Sequence, residues 1–310
     1  MFGLQKYNYE NFTKALLTKE ILLDRFGGPQ AGKRAPEFTA RTLDGGEVTL
    51  SDYRGKSNVV LTFGSATCPF TAASIAGMNR LSEDYGGQEV EFLFVYVREA
   101  HPGERLPAHN SLEDKLYAAE VLRREEALVM PILVDGLRGG IHRKYGKLPN
   151  SSYLIDKSGR VAFRCLWTRP RIIKDALEEL LQRQRERDVE HAVVRGGEHR
   201  AMPATYAMLH AHRALERGGQ QAIYDFRHEM GVSGRMAVTA SRAWQPVANH
   251  PRRSVAAVGA TAVVLAGGIL LGHQLRQRRA FSRPPYDINR TPVPQRSHRN
   301  DHPDSEAVGI

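Results

Sequence analysis

The chain has 310 residues, a net charge of +10 and 41% hydrophobic residues. This composition is sufficient for a buried core and excludes a wholly disordered chain. The charge is nearly balanced between residues 31 and 185, and the basic excess is spread over the second half. Because no basic stripe is interleaved with aromatic residues, the pattern argues against nucleic-acid binding. The two cysteines, Cys68 and Cys165, are too few for the disulfide framework of a small secreted protein.

An alternation of strands and helices is predicted between residues 47 and 187. Apolar runs with β-branched residues indicate buried strands, and apolar residues at helical spacing indicate amphipathic helices. The predicted strands are residues 47–50, 58–63, 90–97, 129–135, 152–156 and 160–166. The predicted helices run from Cys68 to residue 85, over residues 111–124 with a capping box at Ser111 and Asp114, and over residues 171–187.

This order of elements predicts an α/β fold over residues 35–187. Strands that alternate with helices form a parallel sheet, and the last two strands add an antiparallel hairpin. The arrangement resembles the thioredoxin fold, with a central mixed sheet and helices on both faces. Residues 1–34 then form an N-terminal extension. Pro149 precedes the hairpin at the place where thioredoxin-like domains carry a cis proline facing the reactive cysteine.

The second half of the chain predicts three further regions. Residues 188–252 are interpreted as a helical linker, with helices at 204–217 and 220–230. Residues 253–275 are predicted to form a transmembrane helix, because residues 254–275 carry no formal charge and arginines flank them on both sides. Residues 276–310 are predicted to be a disordered basic tail. No signal peptide is visible at the N-terminus, so we expect a single-pass membrane protein whose redox domain lies in the cytosol.

Cys68 is the candidate reactive residue. A strand that ends in Gly-Ser-x-Thr-Cys-Pro and runs into a helix places the thiol at the helix N-terminus, with Pro69 in the first turn. Unpaired N–H groups and the helix dipole there stabilise a thiolate, so we expect a lowered thiol pKa. Thr71 stands where a dithiol enzyme has its second cysteine. The second electron donor is therefore an external thiol or Cys165, and we favour the external thiol.

Four segments carry a more specific resemblance. They read FGSATCPF, VYVREAHP, AHNSLEDKLYAAEVL and YGKLPNSSYLIDKSGRV. In this order and spacing they resemble the iodothyronine deiodinase family over about residues 55–181. The resemblance implies thiol-dependent reduction of carbon–iodine bonds on phenolic rings, with Cys68 where family members place selenocysteine or cysteine.

The resemblance also implies a set of site residues. His101 or His109 would supply or relay the proton to the carbon that loses iodine. The implied catalytic residues are Cys68, Thr67, Ser65, His101, His109, Glu99 and Tyr96. The implied substrate-binding residues are Pro149, Phe70 and Glu113.

The chain also departs from this family. Cys68 replaces selenocysteine, and Arg98 stands where an acidic residue is common. Two alternatives therefore stay open: a peroxiredoxin-like thiol peroxidase, and a non-catalytic membrane-tethered binding module. The expected partners are a thioredoxin- or glutathione-type thiol reductant, a small-molecule electrophile, a membrane and a second copy of the chain. No bound cofactor and no metal are expected.

Overall fold

The computed structural model describes residues 7–18, 27–87 and 89–248. Its strands are β1 (Thr39–Thr42), β2 (Glu47–Thr49), β3 (Asn58–Gly64), β4 (Val90–Tyr96), β5 (Ile132–Val134), β6 (Ser152–Ile155), β7 (Val161–Cys165) and β8 (Glu198–His199). Its helices are α1 (Lys14–Thr18), α2 (Pro69–Tyr85), α3 (Leu112–Glu126), α4 (Gly140–Lys144), α5 (Pro170–Arg187), α6 (Ala204–Met208), α7 (Ala211–Gly218), α8 (Gln220–Glu229) and α9 (Gly231–Ala248).

The strands form one mixed sheet in the order β2-β1-β5-β4-β3-β6-β7-β8. The central strands β3, β4 and β5 are parallel, whereas β6 runs antiparallel to β3, and β7 antiparallel to β6. This topology confirms the predicted thioredoxin-like α/β fold. The strand β5 is shorter than predicted. Pro131, which has no N–H for the sheet, directly precedes it.

Alternating residues of the central strands bury two apolar layers. Val60 and Phe94 face the helices α2, α3 and α5, which contribute side chains such as Met78 to the same cluster. Leu61 and Val95 face the opposite layer, which includes the short helix α4 and Phe38 with Tyr145. Because both faces are covered, the strands read as continuous apolar runs in the sequence.

The carboxyl ends of β3 and β4 lie side by side because the two strands are parallel neighbours. The chain leaves β3 at Gly64 and reaches α2 five residues later. A Cβ at Gly64 would lie 2.5 Å from Phe94 Cζ and 2.7 Å from Thr71 Oγ1. Only glycine fits this close approach, which brings the first turn of α2 against the end of β4.

Residues 204–248, here called the helical cap, lie within the region interpreted as a helical linker and form the four helices α6 to α9. The predicted helix over residues 204–217 is two helices, α6 and α7, and both contact α2. The cap has an apolar cluster of its own, which includes Leu215, Phe226 and Val238 and also takes in Phe12 from the N-terminal region. Apolar burial therefore holds the cap helices together and packs Phe12 against them.

The predicted transmembrane segment at residues 253–275 and the basic tail lie outside the described residues. Among the helices within residues 7–18, 27–87 and 89–248, none is long and apolar enough to cross a membrane.

Candidate active site

Cys68 occupies the N-cap position of α2, with Pro69 in the first helical turn, as predicted. Its side chain is buried, and the residue is 1% exposed. Burial raises the pKa of the Cys68 thiol, and the N–H and hydroxyl of Thr71 and the N–H of Phe70 lower it by less. The net shift of the Cys68 pKa is upward, so the expectation of a lowered pKa is wrong while the thiol is buried in this way. Desolvation of the thiolate outweighs the helix N-terminus.

A buried carboxylate lies at the centre of the polar network beside Cys68. Glu99 follows β4 and accepts hydrogen bonds from the Thr67 N–H at 3.0 Å and the Thr67 hydroxyl at 2.6 Å. The Tyr96 hydroxyl donates a short hydrogen bond to the other carboxylate oxygen. Burial alone would raise the pKa of Glu99, but His109, Thr67 and Tyr96 together lower it, so the carboxylate is ionised at neutral pH.

The two predicted histidines differ in their surroundings. His109 Nε2 lies 3.4 Å from Glu99 Oε1, and both side chains are almost fully buried. His101 donates its backbone N–H to the Thr67 hydroxyl at 3.0 Å. Its ring lies between Phe12 and Phe226, and burial lowers its pKa to about 3. The His101 ring is therefore neutral at neutral pH and is not an imidazolium acid, whereas His109 is in contact with the carboxylate.

Ser65 and Thr67 connect the Cys68 turn to the chain after β4. The Ser65 hydroxyl accepts from the Ala100 N–H at 3.2 Å, and the Ser65 carbonyl accepts from the Cys68 N–H at 3.3 Å. The structure thus brings together all seven predicted catalytic residues, in the end of β4 and in the two adjacent loops that follow β3 and β4.

The three predicted substrate-binding residues are not all in this network. Phe70 is half-buried in the first turn of α2, with its ring centroid 4.5 Å from that of Trp167. Pro149 is half-buried, and its preceding peptide is trans because the described residues contain no cis peptide bond. The expected cis proline is therefore wrong. Glu113 is exposed in the first turn of α3, where its charge complements the helix dipole, so it lies outside the buried network.

Cys165 is a core residue of β7. It is completely buried, its thiol donates to the Trp167 carbonyl at 2.9 Å, and burial raises its pKa to about 12. Neither cysteine forms a disulfide. A buried thiol with so high a pKa is a poor resolving group.

The helical cap also contributes residues to the site, and none of them was predicted from the sequence. Arg217 is buried and donates to the Ala66 carbonyl at 2.9 Å and to Glu125 at 2.8 Å. A Cβ at Gly218 would lie 2.7 Å from the His101 carbonyl, so a glycine lets α7 approach the site closely. No motif marks these residues, because long-range packing alone gives them a role.

The described residues offer no group of three or more His, Cys, Asp or Glu side chains that could hold a metal ion. The side chains gathered at the site supply a thiol, a carboxylate, two imidazoles and a phenol. They suit nucleophilic sulfur chemistry with proton transfer.

Comparisons with known proteins identify relatives of this chain. The chain is 33% identical over 146 residues to thyroxine 5-deiodinase of Gallus gallus, covering 44% of this chain and 56% of that protein. It is 32% identical over 153 residues to thyroxine 5-deiodinase of Ovis aries, covering 46% and 51%. The chain thus spans about half the length of these relatives.

A thiol-disulfide oxidoreductase from Bacteroides fragilis matches with a TM-score of 0.38 and 19% identity, over 48% of this chain and 99% of that one. A likeness at this level carries no inference about chemistry. The family model of iodothyronine deiodinase, in contrast, matches residues 7–167, which is more than half of the chain and includes every residue of the network around Glu99. The chain belongs to the iodothyronine deiodinase family.

Proposed function

We propose that this chain is a thiol-dependent oxidoreductase that removes iodine from an aromatic ring, with Cys68 as its nucleophile. The observation that supports the proposal is the placement of Cys68 at the start of α2, in a turn that Thr67 ties to the buried carboxylate of Glu99. Family membership supports deiodination as the reaction, because the relatives are named as thyroxine 5-deiodinases.

The proposed reaction begins with the Cys68 thiolate. Its sulfur attacks iodine, a sulfur–iodine bond forms, and the electron pair of the carbon–iodine bond stays on the ring carbon, which takes up a proton. An external thiol then attacks the Cys68 sulfur, releases iodide and leaves a mixed disulfide. A second thiol reduces this disulfide, so two thiols supply the two electrons. A thioredoxin- or glutathione-type reductant fits this role because Cys165 is buried in β7.

We assign the source of the proton taken up by the ring carbon to Glu99 and the residues that contact it. His109 contacts the carboxylate, and Thr67 and Tyr96 hold that carboxylate through hydrogen bonds. A proton can therefore move between the imidazole of His109 and the carboxylate of Glu99 within a water-poor site. His101 has a positioning role, since its backbone N–H fixes the Thr67 hydroxyl.

The test uses the full-length chain with dithiothreitol as reductant and compares iodide release from an iodinated phenol with consumption of a hydroperoxide. We expect iodide release that the Cys68→Ser variant loses and the matched Cys165→Ser variant keeps. Peroxide consumption without iodide release would replace the proposal with thiol peroxidase chemistry. The absence of both activities would favour a binding module.

We also propose that residues 253–275 anchor the chain in a membrane. The support is the uncharged run from Ser254 to Leu275, between arginines. The full chain should remain in the membrane fraction after extraction with alkaline carbonate. A chain that ends at residue 249 should be released, and retention of that shorter chain would contradict the anchor.

A further inference from the structure

Residues 7–12, here called the N-terminal strap, cross the loops that carry the site. The Tyr7 hydroxyl lies 2.8 Å from His142 Nδ1, and the Tyr7 carbonyl accepts from Arg98 at 2.8 Å. The slot for the Tyr7 ring exists because residue 139 is glycine, since a Cβ there would lie 2.2 Å from the ring. The strap is therefore seated by specific contacts.

Two further strap residues lie directly over the catalytic loops. The Asn8 amide donates to the His109 carbonyl and to the Leu137 carbonyl, each at 3.0 Å. The Phe12 ring lies 4.3 Å from the His101 ring, centroid to centroid. Both predicted catalytic histidines are thus covered by the strap.

Tyr9 holds a phenol ring beside the Cys68 turn. Its hydroxyl donates to the Ala100 carbonyl at 2.9 Å, and the Arg98 guanidinium lies 5.0 Å from the ring centroid. The Ala100 N–H in turn donates to Ser65, whose carbonyl accepts from the Cys68 N–H. Burial raises the pKa of Tyr9 to about 12, and an ionised Cys68 contributes to that rise, which agrees with a position close to the thiol.

The site under the strap has unused hydrogen-bonding capacity. The Nδ1 atoms of His101 and His109 are buried and have no hydrogen-bond partner. Buried polar atoms normally have partners, so these two nitrogens are positions at which a ligand group could form a hydrogen bond. Cys68 is also sealed, because the residue is only 1% exposed. A cleft of about 660 Å³ at α4 and β1 is not lined by Cys68.

We propose that the slot filled by Tyr9 is the aryl subsite of this enzyme and that the strap withdraws when a phenolic substrate enters. This inference rests on the proposed function and adds a location for the ring. The Ala100 carbonyl accepts the phenolic hydroxyl, and the Arg98 guanidinium faces the aromatic ring, as both do for Tyr9. The strap is an internal competitor of the substrate, held in place by its own phenol.

The experiment measures alkylation of Cys68 by N-ethylmaleimide in the full-length chain, with Cys165 as internal reference by peptide mass mapping. Tyr9→Ala removes the ring and should accelerate Cys68 alkylation at least about tenfold, because a large, half-buried side chain no longer holds the strap. Tyr9→Phe loses only one hydrogen bond and should give roughly a fivefold increase. The exposed-tyrosine control, Tyr117→Ala, should leave the rate unchanged.

A second arm adds 4-methylphenol, which is the tyrosine side chain as a free molecule. It should occupy the vacated slot in Tyr9→Ala and restore protection of Cys68, whereas toluene, which lacks the hydroxyl, should protect less. Neither compound carries a halogen, so the result is independent of iodide release. If protection holds while iodide release fails, only the proposed function falls.

Two results would overturn the aryl subsite: no acceleration of Cys68 in Tyr9→Ala, or acceleration that 4-methylphenol does not reverse. If Tyr9→Ala also accelerates the alkylation of Cys165, the variant has loosened the core, and the alkylation rates of Tyr9→Phe are used instead. An unchanged Cys68 rate in Tyr9→Phe then refutes the inference, and a selective increase at Cys68 supports it.

Discussion

Replacing Glu99 with Gln should destabilise the fold in a pH-dependent way. The carboxylate accepts three hydrogen bonds from Thr67 and Tyr96 and faces His109, and all these groups are buried. Hydrogen bonds to a charged group contribute about 1.5–3 kcal/mol each. Gln keeps one acceptor oxygen but presents an NH₂ group to donors and removes the charge. We expect a loss of about 3 kcal/mol in the free energy of unfolding at neutral pH, close to the lower end for breaking a buried pair.

The pH dependence follows from the lowered pKa of Glu99, whose ordinary value is 4.5. A carboxylate with a depressed pKa contributes stability above its unfolded pKa, and this contribution is lost as pH falls through the folded pKa. Urea unfolding of the wild type and Glu99→Gln at about pH 7 and about pH 3 should therefore show a difference that shrinks at acid pH. The control Glu113→Gln, at an exposed carboxylate, should change stability by less than about 0.5 kcal/mol. An equal difference at both pH values would refute the reasoning.

Three further predictions test other contacts. Arg217→Met should lower the free energy of unfolding by about 2–3 kcal/mol. The loss is smaller than for a buried charge left without any partner, because Arg213 still pairs with Glu126. An unchanged urea midpoint would contradict the link between cap and site. Gly64→Ala should cost about 1–3 kcal/mol in the same assay, because its Cβ meets Phe94 and Thr71, and a neutral result would show that the turn has room. Lys115 is buried, and its pKa is lowered from 10.5 to about 8. As pH rises between these two values, the free energy of unfolding of the wild type should increase by about 1–3 kcal/mol relative to that of Lys115→Met, because only the unfolded state still binds the proton. Parallel curves of stability against pH for the two proteins would exclude this titration.

Local sequence patterns predicted the elements that pack through their own periodicity. The strands β3 and β4 are recognisable as buried apolar runs, and Ser111 and Asp114 form the predicted capping box at α3. The position of Cys68 at the start of α2 follows from the adjacent proline. These features depend on neighbours within a few residues, which is why a single sequence is sufficient for them.

The environment of the site could not be predicted in the same way. Arg217 and Gly218 lie about 150 residues from the Cys68 turn in sequence and reach it only through packing of α7. Tyr9 precedes the sheet domain and carries no motif. The raised pKa of Cys68 has the same origin, because the sequence indicates the helix N-terminus but not how completely the thiol is buried.

The most direct test of Cys68 as the reacting atom is the pH profile of iodide release, compared with the pH profile of Cys68 alkylation in the same full-length protein. Both rates depend on the thiolate, so they should rise together through one midpoint. Because burial raises the pKa of Cys68, that midpoint should lie above the ordinary thiol value of 9.0. Iodide release that does not follow the alkylation profile, or that persists in Cys68→Ser, would contradict the account.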